Sequence, residues 1–288
     1  MKDQAESLRQ LVRRRLPQTS RTIAITSGKG GVGKTNISVN LALSLVRLNK
    51  KVALLDADLG LANADIVLGV YPNYNLTHVL QGEKEIKNII LEGPLGLHVL
   101  AGGSGVYDLA NLGQWQLERF IRSMEQLDQE YDFLIIDTGA GIHRSVLSFV
   151  LSVDEVIVVT TPEPTSITDA YGMVKTIIQR TPETNIRVLV NMAAIPRDGE
   201  IVFQKLNTVV KQFLNRNILY GGYILRDPNV ARSVLEQEPF VLAYPVSSAT
   251  RSIERVAHTL IGDEVDTKSQ QKGIRSFFSK MYNYTIRK

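Results

Sequence analysis

The chain has 288 residues, 44% of them hydrophobic and 22% charged, enough for one large buried core in a single α/β domain. It contains no cysteine, which excludes disulfides and cysteine-ligated clusters, and no apolar run approaches the roughly 18 residues of a membrane span. The net charge of +4 is unevenly spread: residues 1–21 carry +4 and residues 268–288 carry +6, leaving −6 between them, and an acidic body with two basic ends is poorly suited to nucleic-acid binding.

Residues 1–20 are too polar and basic for a secretory leader, so a cytoplasmic location is expected. Ala5, Leu8, Leu11 or Val12, and Leu16 can share one apolar stripe of a helix, although such a segment can equally be a basic arm without structure. Leu-Pro-Gln-Thr-Ser at 16–20 reads as a linker. Arg21 to Thr26 is a short β-branched run, and residues 36–48 have helical periodicity. Between them residues 28–35 read Gly-Lys-Gly-Gly-Val-Gly-Lys-Thr, matching G-x-x-x-x-G-K-[ST]. Such glycines let successive backbone N–H groups close around phosphate oxygens, and the helix N-terminus adds a favourable dipole. Lys34 suits the β- and γ-phosphates and the Thr35 hydroxyl suits Mg²⁺, so a nucleoside triphosphate site is expected at Gly28, Gly30, Gly31, Val32, Gly33, Lys34, Thr35 and Asn36.

Further along, strands are predicted near 51–56, 97–101, 132–137, 154–160, 186–191 and 218–224. Helices are predicted near 115–129, 144–150, 167–179, 201–214, 229–236 and 248–261. The alternation implies an α/β fold, a doubly wound, mostly parallel sheet with helices on both faces. Leu134–Ile136, Val156–Val159 and Val188–Val190 lack polar alternation, as strands buried on both faces should. Domain limits of 1–20, 21–265 and 266–288 follow, with a polar linker at Thr267–Gln271 before a last helix. In that helix Ile274, Phe277, Phe278, Met281, Tyr282 and Thr285 share one face, with Lys272, Arg275 and Lys280 beside or opposite it. Aromatic residues against a cationic face suit a helix lying in an anionic membrane interface, and they also suit one that packs on its own domain. Storage on the body and later release would reconcile the two.

Lys29 is a cation that an ordinary phosphate loop does not need, and with it the loop resembles the deviant Walker A of the MinD/ParA ATPases. Val52–Gly60 (Val-Ala-Leu-Leu-Asp-Ala-Asp-Leu-Gly) is similar to that family's strand and Asp-x-Asp, and Phe133–Gly141 to its Walker B strand and switch II. The likeness runs from about Arg21 to about Gly262, and the missing cysteines set the chain apart from the iron–sulfur relatives of the fold. It implies an ATPase that binds ATP or ADP with Mg²⁺, forms a homodimer with ATP, and uses Lys29 across the dimer interface. It gives Asp58 the role of orienting water and Asp56 a supporting role at Mg²⁺, with Asp137 holding the metal through water. Asp56 and Asp58 alternate on an extended chain and point to opposite sides, and Asp58 could instead cap a helix starting near Leu61. Gly139 and Gly141 would let switch II approach the γ-phosphate. Adenine contacts are expected from Asn191, Arg226, Asp227 and Pro228, and Asp154 is expected to pair with Lys29 in the resting form. His78, His98, His143 and His258 lack ligand spacing and are read as structural.

The opening string Asp3-Gln4-Ala5-Glu6-Ser7-Leu8-Arg9 resembles the Asp-Gln-Ala-x-x-Leu-Arg motif of the FlhG family, also called YlxH or FleN, MinD-like regulators of flagellar number and placement. That resemblance makes Asp3, Gln4, Ala5, Leu8 and Arg9 an activating segment for an FlhF-type signal-recognition GTPase, with flagellar switch and basal-body components as further partners. It implies a protein reversibly and peripherally placed at the inner face of the cell membrane. A division-site MinD, or a non-catalytic scaffold using nucleotide as a structural ligand, are the other readings.

Overall fold

The computed structural model describes residues 20–58, 64–102, 114–262 and 273–286. The N-terminal motif and the linker before the last helix lie outside the described residues. The first half contains β1 (Arg21–Ser27), α1 (Lys34–Arg47), β2 (Val52–Ala57), α2 (Ala64–Leu68), α3 (Leu76–Leu80), β3 (Leu91–Glu92), β4 (His98–Ala101), α4 (Gln114–Glu130) and β5 (Phe133–Ala140). There follow α5 (Arg144–Val150), β6 (Glu155–Thr160), α6 (Pro164–Arg180), β7 (Asn185–Ala193), α7 (Pro196–Leu214), β8 (Leu219–Leu225), α8 (Pro228–Leu235), α9 (Phe240–Ala243), α10 (Ser248–Gly262) and α11 (Gly273–Ile286).

The strands form one sheet in the order β3-β4-β2-β5-β1-β6-β7-β8, parallel throughout except for the antiparallel edge strand β3. The unalternated runs occupy the centre, where β1, β2 and β6 are buried at every residue. Burying both faces demands two helical layers, and two cores result. One packs α1, α9 and α10 on the sheet, and the other packs α4, α5, α6, α7 and α11. The predicted strands and helices are all present. α6 and α7 begin earlier than periodicity placed them because a proline, Pro164 or Pro196, takes the first helical position, where its missing N–H costs nothing. Strand β5 runs to Ala140 because it stays paired with β1 as far as Ser27, with a register shift between Ile25 and Ser27. The short pieces α2, α3, α9 and β3 are too brief to show a period. Among the described residues no helix is long and apolar enough to cross a membrane.

Helix α11 is docked on the body. Ile274, Phe277, Phe278 and Met281, the face that suits either a membrane or the domain, are at most 3% exposed. Phe277 stacks on Phe149 with centroids 6.2 Å apart, and Phe278 meets Phe120 edge-on at 5.1 Å. Tyr282 is only half buried. The helix starts where the α4 residue Asp128 accepts hydrogen bonds from the Ile274 and Arg275 amides at 2.5 and 3.0 Å, satisfying two otherwise unpaired donors. The same residue meets the chain entering β1, since the Ser20 hydroxyl donates to the Asp128 carbonyl at 3.2 Å. Burying each phenylalanine contributes about 1.5–3 kcal/mol to holding the helix down.

At the amino ends of β1, β6 and β7 three charges are buried together. Glu155 accepts from Arg21 and, at 2.7 Å, from Arg187 Nε, and Arg21 also donates to the Leu260 carbonyl near the end of α10 at 2.7 Å. This cluster staples strands to a helix and leaves two buried guanidinium groups if the carboxylate is lost. Glu155→Ala is expected to destabilise the chain by about 3–5 kcal/mol, read as a lowered urea midpoint at unchanged slope.

Candidate nucleotide site

The parallel strands end at one edge, and the crevice beyond their carboxyl ends is where such sheets bind ligands. Strand β1 delivers residues 28–33 there, and α1 opens immediately afterwards with Gly33 in the left-handed region (φ 90°) as its N-cap. The loop is gripped from both sides. A methyl group on Gly28 would lie 2.1 Å from the Asp169 carbonyl oxygen of α6. One on Gly33 would lie 2.5 Å from Asn191 Nδ2, and that amide donates to the Val32 carbonyl at 2.7 Å. Nothing lies within 4 Å of the same position on Gly30 or Gly31. The loop is thus closed toward the protein and open on the side where its N–H groups would meet phosphate.

Lys34 and Asp137 form the charged centre. Lys34 is 9% exposed; burial pulls its ammonium below the usual range, opposed by the charges of Asp137 and Asp58. Asp137, at the end of the apolar part of β5, is fully buried, and that burial pushes its carboxyl up to about 7. Hydrogen bonds from Thr35 and Ser38, the latter 2.8 Å long, and the charge of Lys34 work against the shift, and Asp56 adds to it. Asp137 Oδ2 and Asn36 Oδ1 are buried with no hydrogen-bond partner in the protein. Unsatisfied hard oxygens beside a threonine hydroxyl are the donor set that Mg²⁺ and its waters require, so Thr35, Asp56 and Asp137 fit that ion.

Asp56 is bonded to the turn and helix after β2: its Oδ2 accepts from the Ala64 amide at 3.0 Å and its Oδ1 from the Asp58 amide at 3.1 Å. The alternative of a cap by Asp58 on a helix starting near Leu61 falls on residues outside those described, and the described part of that helix begins at Ala64. Asp58 is half exposed, with Oδ1 3.5 Å from where a methyl on Gly139 would lie, so it faces switch II. Switch II is pinned by the Gly141 amide, which donates to the Ser27 carbonyl at 2.8 Å.

Lys29 lies on the exposed side of the loop and pairs with Glu163 at 3.0 Å, with the Thr165 hydroxyl 3.3 Å away. The expected pairing with Asp154 is therefore corrected. Asp154 precedes β6, about 20 Å from the strand's other end, and accepts from the Thr22 amide and hydroxyl. Glu163 follows β6 on the side where the loop lies. The expected adenine contacts also have duties within the protein. Asn191 supports the loop through its amide nitrogen. Arg226 is exposed, and its backbone N–H donates to the Ala193 carbonyl at 2.8 Å. Asp227 caps α8, whose first residue is Pro228, and also accepts from Ser248 and Ala249 at 2.8 and 3.1 Å, tying α8 to α10. Burial alone would raise its carboxyl, but these bonds hold it below the usual range. Ser38 escaped the sequence reading, although its place one turn beyond Lys34 put it on the same face of α1.

Residues 20–190 match a family model described as an AAA domain. The antiactivator FleN of Pseudomonas aeruginosa is 41% identical over 256 residues, 89% of this chain and 91% of that protein. The flagellum site-determining protein YlxH of Helicobacter pylori is 35% identical over 99% of both chains. Among solved structures, the septum site-determining protein MinD from Pyrococcus horikoshii, complexed with Mg-ADP, is similar with a TM-score of 0.67 at 25% identity, covering 88% of this chain and 99% of that one.

The cost of burying Asp137 generates a prediction of opposite signs. Asp137→Asn keeps the Ser38 contact and removes the charge, so at pH 8 it should stabilise the nucleotide-free protein by on the order of 1 kcal/mol in urea unfolding. It should also abolish the Mg²⁺ dependence of ATP binding measured by calorimetry.

Proposed function

Because the chain belongs to the MinD/ParA-like AAA-domain ATPases, in the branch of FleN and YlxH, we propose that it is an ATP-driven dimeric switch that regulates the number and placement of flagella. The observation that carries the reading is the charged centre, with Lys34 buried in the field of Asp137 and Asp58 behind a loop that is open at Gly30 and Gly31. Lys34 and the loop N–H groups bind the β- and γ-phosphates of ATP. Thr35, Asp56 and Asp137 would hold Mg²⁺, which when bound neutralises charge on those phosphates. Asp58 accepts a hydrogen bond from the attacking water and aims its lone pair at the γ-phosphorus. As the new P–O bond forms, the bond to the β–γ bridging oxygen breaks, and the water's protons leave with phosphate and solvent. Adenine is contacted by Arg226 and Asn191, with Asp227 and Pro228 supporting that side.

Lys29 completes the site in a second copy. Its ion pair with Glu163 is exposed, so it is worth little and easily exchanged for a partner's nucleotide phosphates. ATP thereby couples two chains. Dimerisation releases α11, whose Phe277 and Phe278 then enter an anionic membrane surface, two helices per dimer multiplying a weak single affinity. Hydrolysis reverses the sequence. Asp3, Gln4, Ala5, Leu8 and Arg9 engage an FlhF-type GTPase, and switch or basal-body components are the further partners.

Asp58→Ala is expected to bind ATP and remain dimeric in size-exclusion chromatography, with turnover reduced about 100-fold or more. It should sediment with phosphatidylglycerol vesicles, whereas the chain lacking residues 272–288 should not. Lys29→Ala should bind ADP as a monomer yet give no ATP-dependent dimer; a normal dimer would remove the role across the interface.

A peptide of residues 1–20 should by itself stimulate GTP hydrolysis by an FlhF-type GTPase. Gln4→Ala should lose stimulation with little loss of binding, since an amide that orients water acts mainly in the transition state. A peptide inert toward such GTPases, from a chain that binds a division inhibitor, would transfer the reading to division-site placement.

A further inference from the structure

A second concave site, sharing no residue with the nucleotide site, lies between α4 and the segment that follows α3. It is a cavity of about 340 Å³ lined by Lys84, Lys87, Arg119 and Arg122 over an apolar floor that includes Ile86 and Phe120. With Glu85 as the one acid among the lining residues, the lining carries +3. That is against the grain of a chain whose residues between the two basic ends sum to −6. Each pair of cations is built for convergence. Arg119 and Arg122 are three apart on one helical face, and Lys84 and Lys87 are three apart across the short 3-10 turn at Ile86–Asn88.

The cations are also held in place. Lys84 Nζ sits over the Tyr74 ring at 4.2 Å, and Lys87 Nζ pairs with Glu130 at 3.5 Å. The Arg119 guanidinium lies over Gly82, whose left-handed conformation (φ 80°) places the backbone so close that a methyl there would be 3.4 Å from Nη1. With Glu130 counted beside Lys87 the group of charges still sums to +2, and a concave low-dielectric wall focuses that field on whatever anion enters. Planar guanidinium forks beside compact ammonium groups match the several oxygens of a phosphate ester better than a single carboxylate. A cavity of this size accommodates a small molecule, and its apolar floor suits a carbon skeleton attached to the phosphate.

We propose that this cavity is a second anion site, which binds a phosphate ester. The site is independent of the ATP cycle described above. The ester is either a soluble metabolite or a phospholipid headgroup, and two probes distinguish them. The full-length chain, with the nucleotide site saturated by Mg-ADP, is titrated with glycerol 3-phosphate by calorimetry and with phosphatidylglycerol vesicles by sedimentation. Response to glycerol 3-phosphate supports the metabolite, and response to vesicles alone supports the headgroup. In either arm Arg119→Gln/Arg122→Gln should weaken binding about tenfold. Lys51→Gln, an exposed cation elsewhere, should change it less than about twofold. Unchanged Mg-ADP affinity verifies folding, and Lys84→Gln alone, losing about threefold, serves if the double variant fails that check. Binding equal in variant and parent, binding of neither ester up to about 10 mM, or binding only of an acidic peptide such as oligoglutamate would overturn the assignment.

Discussion

The whole carboxyl edge of the sheet is arranged around one unfavourable act, the burial of the Asp137 carboxylate. An aspartate with no exposed surface at the end of an apolar strand cannot stay ionised unless its surroundings compensate. Thr35 and Ser38 supply hydrogen bonds, and Lys34 supplies a charge that is itself desolvated. Each of these is on α1 or at its start, so the helix must begin where it does, and the glycine loop must deliver it there. Asn191 and Asp169 then fix the loop from opposite sides. The compensation is incomplete, since Oδ2 remains without a partner in the protein. A protein that leaves this centre unfinished gains a strong dependence on the ligand that finishes it.

Much of the fold was legible in the sequence because its signals are local. Apolar strands without alternation, helical periods and the glycine loop each report on their own segment, and the order of elements gives the doubly wound architecture. What the sequence hid depends on which end of an element faces what. Asp154 and Glu163 flank the same strand, and only the parallel sheet direction decides that the latter meets Lys29. Asp56 and Asp58 are two residues apart, yet the first turns back to cap Ala64 while the second faces Gly139. Asp227 looked like a ligand contact and is bonded mainly to the start of α10, a partner about 20 residues away that no periodicity could reveal. The last helix was legible as amphipathic, but amphipathicity names a face without naming what covers it.

The two cores give the halves of the sheet different mechanical characters. On one side α1 and α10 pack on each other and on the sheet. On the other side α11 meets α4, α5 and β1 through a few large side chains and the Asp128 cap, with hydrogen bonds from Arg180 to the Tyr284 hydroxyl and from Lys280 to the Ser152 carbonyl at its far end. Contacts placed at both ends of a 14-residue helix tie its start and its finish to the body, so it is held as a unit.

Asp128 has a consequence for the chain's reach. Its carbonyl receives Ser20, the last residue before the sheet, and its carboxylate receives the first turn of α11. The entrance to the fold and the root of the final helix therefore share one address on the surface. Anything held by the residues before Ser20 is tethered beside that root, at the high effective concentration of a short leash. A body that seizes one extension has the other within arm's length, whichever of them is engaged first.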